Sequence, residues 1–593
     1  MRKFNTGIAL TPGILLVLLV LSLVAPQPVT GQVLYGSIVG TVQDPSGAVV
    51  PGAKLTLTNM STGQSREVQA DEQGRYNVIS LPAGTYDMVV AAPGFRTLTR
   101  KGIEVTINTV TREEPKLEVG QISEQVTVSA SAAALQTDRS DTRAEITSRT
   151  VVELPLPAYR NYQSMINLVP GATPGAEQNS MGASPQRSLS TNVNGTNRNN
   201  NNTRVDGAIN GYICLPHHTL YNPPVEAIET VNISTSSFDA EQGMAGGAAV
   251  TVATRSGTNQ LHGSGFWYHD NQHLYARPFF YRINENKPRL PKAIMNIPGG
   301  TIGGPIIKNK LFYFFSFERT WQRTGVFANS SVPRADMREG NFAAYAGLGN
   351  IYDPSTGNPD GSARVPFANN QIPSARFSPT WLKVQQLAPM PNQQATDTYG
   401  LSGNYFSSTT LKLTRDQYDY KMNYNVNTKL MIWGKYSHMN APVEGVGALG
   451  ELTGPALGQM GLADVGIRMP SFGFNFTLSP TFLIDGVFGH TRFKNIATGP
   501  DYGKNWGSEV WGIPGTNGGK AFADDIRYSG QPCINNGLTG WGNCQGSNPN
   551  FYQDRSYTYT TNFSKVMGAH EFRWGVDIVR HAMNHWQPEV ANP

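Results

Sequence analysis

The second half of the chain repeats short runs in which apolar and polar residues alternate strictly. In residues 416–426, the even-numbered positions include Tyr420 and Met422, and the odd-numbered positions include Lys421 and Asn423. The same alternation returns at 471–478, 556–563 and 571–578. A period of two places alternate side chains on opposite faces of a strand, so these runs predict β-strands rather than helices. These runs of 8 to 11 residues are close to the roughly 9–11 residues that a tilted strand needs to cross an outer membrane.

The connections between these runs are of two kinds. Asn427-Thr428 and Ser479-Pro480 are tight, whereas 325–405 and 495–553 are long and rich in Gly, Asn and Pro. Short turns on one side and long loops on the other are typical of outer-membrane barrels. Because lipid leaves the backbone groups of an open sheet unsatisfied, we predict an antiparallel transmembrane β-barrel over residues 259–593.

The composition agrees with strands and turns. Charged residues make up 15% of the 593 residues, against roughly 25% in an ordinary soluble domain. Aromatic residues make up 10%, and there are 62 Gly. The net charge of +5 is small for this length, and no basic stripe indicates a nucleic-acid partner.

The N-terminus has the layout of an export signal. Arg2 and Lys3 are followed by an apolar run from Gly13 to Val24 and then by small residues through Gln32. We therefore predict a signal peptide over residues 1–31. The alternative is a single membrane anchor, for which this apolar run is short.

Residues 33–118 are predicted to form a small β-sandwich. Turn signals such as Asp44-Pro45-Ser46-Gly47 interrupt short alternating runs. The unit contains Val50-Pro51-Gly52-Ala53, Asp71-x-x-Gly74-x-Tyr76 and Leu81-Pro82-x-Gly84-x-Tyr86. These elements resemble the carboxypeptidase regulatory-like domain. The resemblance implies a seven-stranded binding or spacer module without catalytic residues.

A short extended segment lies within the linker at 119–139. It resembles a TonB box, the strand-forming motif that energy-coupling proteins grip, and its residues are Glu124, Gln125, Val126, Thr127 and Val128. The resemblance implies that these residues bind a TonB-type partner. The alternative is that the segment is the last strand of the sandwich or a plain linker.

Residues 140–258 resemble the plug of TonB-dependent receptors, in particular the Oar-like subgroup. The resemblance rests on motifs in register, among them Leu168-Val169-Pro170-Gly171-Ala172, Asn192-Val193-Asn194-Gly195, Arg204-Val205-Asp206-Gly207 and the run from Gly246 to Thr258. It implies an α+β plug. The predicted fold is therefore dominated by β-structure: a sandwich, a plug, and then a barrel.

The resemblance also implies a function and a location. We expect a monomeric receptor in the outer membrane of a Gram-negative bacterium, with its N-terminal domain in the periplasm. It would import a bulky nutrient, such as a glycan, a peptide or a metal chelate, using energy from a TonB-type inner-membrane partner. Roughly ten candidate strands are visible, against about 22 in large transporter barrels, so we expect an incomplete barrel.

Two other functions stay open. One is a surface adhesion or protein-sorting barrel of the Oar-like kind. The other is a carbohydrate-binding module on a passive outer-membrane scaffold. We find no catalytic motif and expect neither an enzyme nor a cofactor. His570-Glu571, for instance, lacks the second His of a zinc-protease helix.

Several residues outside these motifs have two interpretations. Cys533 and Cys544 either pair in an oxidising compartment or stay as loop thiols. Cys214, beside His217-His218, either contributes to a metal site or belongs to a polar plug loop, and we assign no metal. The substrate site cannot be assigned, because loop aromatics such as Trp506, Trp511 and Trp541 suit sugars and many other ligands.

Overall fold

The computed structural model describes residues 35–588, except for 108, 121–124, 130–141, 157, 238–242, 278, 280–289, 453–460, 523, 536, 545–548 and 569. The predicted signal peptide at 1–31, Glu124 and the last five residues lie outside this description.

The first unit is a two-sheet sandwich. Its strands are β1 (Gly36–Thr41), β2 (Lys54–Asn59), β3 (Ser65–Gln69), β4 (Arg75–Leu81), β5 (Gly84–Ala91), β6 (Thr97–Val105), β7 (Val110–Arg112) and β8 (Gln125–Ser129). One sheet has the order β4-β1-β7, and the other has the order β3-β2-β5-β6-β8. Alternate residues of the strands form the core, and Ile38, Leu55, Leu57 and Met88 are fully buried. The period-two pattern thus forms the predicted sandwich.

The second unit is built around a mixed sheet. Its strands are β9 (Thr142–Thr147), β10 (Ala176–Glu177), β11 (Leu189–Ser190), β12 (Asn202–Val205), β13 (Ala208–Ile209), β14 (Ile228–Ser236) and β15 (Ala249–Thr254), with α1 at Ser148–Glu153. Short 3-10 turns lie at Ala158–Arg160, Tyr162–Leu168, Arg198–Asn200 and Val225–Ala227. The main sheet has the order β13-β12-β15-β14-β9. Strand β15 is buried along its whole length, so this sheet is enclosed on both faces.

The third unit is one large antiparallel sheet, here called the wall. It contains β16 (His262–Asn271), β17 (Ala293–Ile307), β18 (Leu311–Ser330), β19 (Tyr405–Asn425), β20 (Leu430–Glu444), β21 (Leu462–Ser479), β22 (Phe482–Thr498), β23 (Asn550–Met567), β24 (His570–Ala582) and β25 (His585–Trp586). From β16 to β24 each strand pairs with the next in sequence, and β25 pairs with β23. Within the described residues β16 and β24 are the two edges, so the barrel is open as expected.

The wall has a short-turn end and a long-loop end. Turns such as 426–429 and 480–481 join strands at the first end, and 331–404, 445–461 and 499–549 join them at the second. The long loops contain α2 (Ala335–Arg338), α3 (Pro379–Leu387) and a one-turn π-helix (Trp506–Trp511). By the outer-membrane pattern, the long-loop end faces outward and the short-turn end faces the periplasm.

The two faces of the wall invert the usual burial of apolar and polar residues. Tyr420 is 46% exposed and Ile578 is 55% exposed, whereas Asp419, next to Tyr420, is 1% exposed. Cross-strand ring pairs cover the exposed face, including Phe315 with Tyr420 at 4.9 Å and Phe563 with Trp574 at 5.5 Å. An apolar outer face with a polar inner face is the arrangement that lipid requires of a barrel. The predicted fold class is confirmed.

The sandwich docks on the short-turn end of the wall. Arg66 donates through Nη2 to Asn475 Oδ1 at 3.2 Å, and Asn475 donates through Nδ2 to the Ser80 carbonyl at 3.2 Å. Tyr35 packs in a small buried cluster with Trp433 and other wall residues. In the described part of the chain, no helix is long and apolar enough to cross a membrane.

Candidate functional site

The second unit, called the plug from here on, carries an aspartate at the tip of a tight hairpin. Strands β12 and β13 pair so that Val205 lies opposite Ala208, and the two residues between them form the turn. Asp206 has φ 45° and Gly207 has φ 81°. Both positive values match a type I′ turn, which favours Asp-Gly. The Asp-Gly pair seen in the sequence therefore sets the direction of the Asp206 side chain.

Asp206 binds two lysines of the wall. Its Oδ1 lies 3.1 Å from Lys421 Nζ, and its Oδ2 lies 2.9 Å from Lys435 Nζ. Thr254, in the plug, donates through Oγ1 to Asp206 Oδ2 at 2.6 Å. We call Asp206, Lys421 and Lys435 the plug latch. All three side chains are at most 10% exposed.

Neighbouring polar groups extend the plug latch. Asp419 Oδ1 lies 3.9 Å from Lys435 Nζ, and Tyr221 of the plug donates to Asp419 Oδ2 at 2.7 Å. Two carboxylates therefore face two ammonium groups in a closed site. Burial alone raises the pKa of Asp206, but Lys421 and Lys435 outweigh it and hold that pKa well below its usual range. Asp206 is charged at physiological pH.

A second ion pair joins the plug to the last long strand of the wall. Arg204 donates through Nη1 and Nη2 to the two carboxylate oxygens of Asp577, at 3.2 and 2.5 Å. Both side chains are at most 3% exposed, and Thr560 also donates to Asp577. Such two-point contacts fix orientation as well as distance. The β12–β13 hairpin is thus bound to the wall through Arg204 and Asp206, on either side of Val205.

The segment predicted to be a TonB box lies at the edge of the sandwich. The backbone of Gln125–Ser129 forms β8, which runs parallel to β6 with Thr97 opposite Gln125. Thr127 is exposed, and it lies opposite Thr99. This placement matches the alternative in which the segment is the sandwich's last strand. Binding of this segment to a partner stays a prediction.

The long loops form a compact cap with its own core. Val332, Val384, Leu449 and both Trp511 and Trp541 are buried together, and Trp381 stacks on Trp541 at 5.0 Å. Cys533 and Cys544 are joined by a disulfide within this cap. Trp511 and Trp541 are at most 1% exposed, so their rings face other loop residues rather than the surface of the cap.

The two adjacent histidines of the plug do not form a metal site with Cys214. Both histidine rings are buried: Nδ1 of His217 bonds Asn199 at 2.7 Å, and Nε2 of His218 bonds Gln186 at 2.7 Å. Burial lowers the pKa of His217 to about 4 and that of His218 to about 3, so both are neutral at physiological pH. Their role is to hold the plug loop.

Residues 253–592 match the family described as outer membrane beta barrel domain. The chain belongs to this family. It resides in the outer membrane, as its inverted wall requires. Residues 37–118 match the carboxypeptidase regulatory-like domain, which covers most of the sandwich.

Three known transporters or receptors are similar to parts of this chain, and the chain spans less than two thirds of the length of each. The TonB-dependent transporter Oar of Myxococcus xanthus is 26% identical over 316 residues, which are 50% of this chain and 28% of that protein. The outer membrane transporter YddB of Escherichia coli has 9% identity and a TM-score of 0.44, covering 74% of this chain and 48% of that one. The siderophore receptor PirA of Acinetobacter baumannii has 14% identity and a TM-score of 0.33, covering 75% of this chain and 57% of that one.

Proposed function

We propose that this chain acts as a TonB-dependent transporter that imports a bulky nutrient and catalyses no reaction. The observation that carries the proposal is the plug latch, which binds a separate mixed sheet to the polar inner face of the wall. A plug held by a few buried ion pairs blocks the barrel at rest, and an applied force can remodel it. The similarity to the Oar transporter supports the same role.

Strand β8 is the proposed point at which force is applied. It lies at the edge of its sheet, and its one strand partner in the described structure is β6. A TonB-type partner would bind the segment by adding a strand, a mode in which backbone hydrogen bonds provide much of the affinity. Strand β8 would have to leave β6 first. The sandwich therefore competes with the partner for the same backbone groups.

A reversible crosslink tests this competition. Thr99 and Thr127 lie opposite each other in the β6–β8 ladder, so the pair Thr99→Cys and Thr127→Cys should form a disulfide. The background carries Cys214→Ser, which removes the free thiol. We expect the oxidised double variant to lose binding to the TonB periplasmic domain, and we expect reductant to restore it. Thr127→Cys alone, with and without reductant, is the matched control.

A proline substitution tests the segment itself. Val126→Pro removes a backbone donor and fixes φ, so it should abolish binding to the TonB periplasmic domain. Val126→Ile keeps both the backbone and the β preference and should bind normally. If Val126→Pro still binds, the segment is not the box. If it mainly speeds hydrogen exchange in β6, the segment serves as a sandwich strand.

The substrate class is tested by uptake. A panel of labelled glycans, peptides and metal chelates is offered to cells, with and without a protonophore. Import of one class that stops with the protonophore supports the proposal. Surface binding that is indifferent to the protonophore would favour an adhesion barrel or a passive carbohydrate-binding scaffold.

A further inference from the structure

A hairpin of the plug presents a thiol to the long-loop end of the wall. Gly211 and Thr219 form an isolated bridge, and Tyr212 N donates to the His218 carbonyl at 2.8 Å. The tip is tightened further because His218 N donates to the Leu215 carbonyl at 2.8 Å. Cys214 lies at this tip and is exposed. The described structure contains no other free thiol.

The wall presents two further donors opposite this tip. Met583 and His585 flank Asn584, at the break between β24 and β25. The break is held in place because Asn584 N donates to Asp554 Oδ1 at 2.8 Å. The His585 ring stacks on Tyr552 with the ring centres 3.8 Å apart. These contacts fix the chain directly after the exposed thioether of Met583.

Three soft or borderline donors meet at this point. Cys214 Sγ lies 3.1 Å from Met583 Sδ and 3.6 Å from His585 Nδ1. We propose that Cys214, Met583 and His585 form a binding site for a soft monovalent metal ion, Cu(I). The site joins the plug to the wall, and it does not depend on the proposed transport function.

The donor set selects Cu(I) over other metals. Thiolate and thioether sulfur are soft ligands that suit Cu(I), and imidazole also binds copper. Zinc in proteins takes Cys, His, Asp and Glu, and a thioether is not among its usual ligands. Among the described residues, no three His, Cys, Asp or Glu side chains cluster as a metal site. The methionine therefore completes the set and determines its preference.

The distances are close to those of a three-coordinate site. With metal–sulfur and metal–nitrogen bonds of about 2.3 and 2.0 Å, a trigonal arrangement separates S from N by about 3.8 Å and S from S by about 4.0 Å. The thiol–imidazole distance of 3.6 Å is close to this value, and the Tyr212 hydroxyl, 3.2 Å from the same His585 Nδ1, must turn away to free that nitrogen. The sulfurs must move apart by about 1 Å, which the 60% exposed Met583 side chain can do by rotation.

A buried carboxylate lies beside the site. Asp554 is 2% exposed, and its Oδ2 has no hydrogen-bond partner within the described residues. Its charge acts on both His585 and Cys214. Cu(I) takes the place of the Cys214 thiol proton, so the net charge that faces Asp554 is the same before and after binding. Metal binding displaces one proton from the Cys214 thiol as the Cu–S bond forms.

Competition titration of the purified protein in detergent micelles tests the site. The probe is Cu(I), generated anaerobically with ascorbate and buffered by bicinchoninate. We expect one Cu(I) per chain. Cys214→Ser should weaken binding by roughly 100-fold, because it removes the anionic ligand, and Met583→Leu should weaken it by roughly 10-fold. X-ray absorption should show two sulfur donors and one nitrogen donor.

Matched controls lie at the other end of the same hairpin. Met567 and His570 face each other beside the short turn between β23 and β24. Met567→Leu and His570→Gln should bind Cu(I) as the unaltered protein does, and Met583→Leu should leave Zn²⁺ binding unchanged. Cu(I) binding that survives Cys214→Ser, or that falls equally in the control variants, would overturn the proposal. A spectrum with one sulfur donor would remove Met583 from the site.

Discussion

Substitution of Asp206 by Asn tests how the plug is held. The change keeps the side-chain volume but removes the anion that both Lys421 and Lys435 contact. Two buried ammonium groups then share the single carboxylate of Asp419, which lies 3.9 Å from Lys435. Breaking a buried ion pair by removing one partner costs about 3–5 kcal/mol, because the remaining charge stays desolvated. We expect the plug to lose this amount of stability against the wall.

Hydrogen exchange of the β12–β15 amides measures the loss. A change of about 3–5 kcal/mol corresponds to roughly 100- to 4,000-fold faster exchange in these strands. Adding Lys435→Met to Asp206→Asn removes one uncompensated charge and should restore much of the protection. Asp360→Asn, in an exposed loop turn, should change nothing. Unchanged exchange in Asp206→Asn, or equal loosening of the wall strands, would refute the latch.

The pH dependence of the plug latch has a definite sign. The pKa of Asp206 is lowered in the folded protein. The stabilisation that its charge provides is therefore fully present above about pH 3.9, the pKa of an aspartate in the unfolded chain. The contribution is lost only as the pH falls below that value. Exchange in β12–β15 should therefore stay slow down to about pH 4 and should accelerate at lower pH.

Three other substitutions test the wall and the cap. Tyr420→Arg places a charge on the exposed apolar face and should lower the stability of the barrel by about 2–4 kcal/mol near the midplane, whereas Asn423→Arg on the inner face should cost little. Heat-modifiable migration on gels compares the two variants. Equal tolerance of both would contradict the assignment of faces. Cys533→Ser opens a loop closed by a disulfide to Cys544 over a separation of 11 residues. This substitution should destabilise the cap by about 3 kcal/mol. The loss should appear as faster proteolysis of residues 499–549. Unchanged cleavage would show that the buried tryptophans are enough to hold the loop.

The strands were predictable because their signal is local. Alternation over 416–426 and 571–578 reports directly on the two faces of a strand, whatever the rest of the chain does. The Asp206-Gly207 pair likewise reports a tight turn from two adjacent residues. These features depend on neighbours in sequence, so one sequence is enough to predict them.

The contacts that make up the site were not predictable in the same way. Asp206 and Lys421 are 215 residues apart, and Cys214 and His585 are 371 residues apart. Only the register of the wall against the plug brings them together. The order of β8 beside β6 also depends on which sheet edge is free, which the sequence of 125–129 does not encode.

Burial of the loop tryptophans shows a further limit. Trp511 and Trp541 lie in segments with the composition of exposed loops, rich in Gly and Asn. They are buried because several loops pack together around them. A loop composition predicts turns, but it does not predict whether an aromatic side chain faces a ligand or another loop.

Spin-label accessibility along β19 tests most directly whether the wall crosses a lipid bilayer. Single cysteines are introduced at positions 416–425 in the Cys214→Ser background, labelled, and reconstituted in vesicles. We predict a period of two, with strong collision with dissolved oxygen at the positions that face outward, namely Tyr418, Tyr420, Met422 and Tyr424. Labels at the inward positions, Gln417, Asp419 and Lys421, should be shielded from oxygen. A profile without alternation, or outward labels that collide mainly with a water-soluble relaxant, would contradict an outer-membrane barrel.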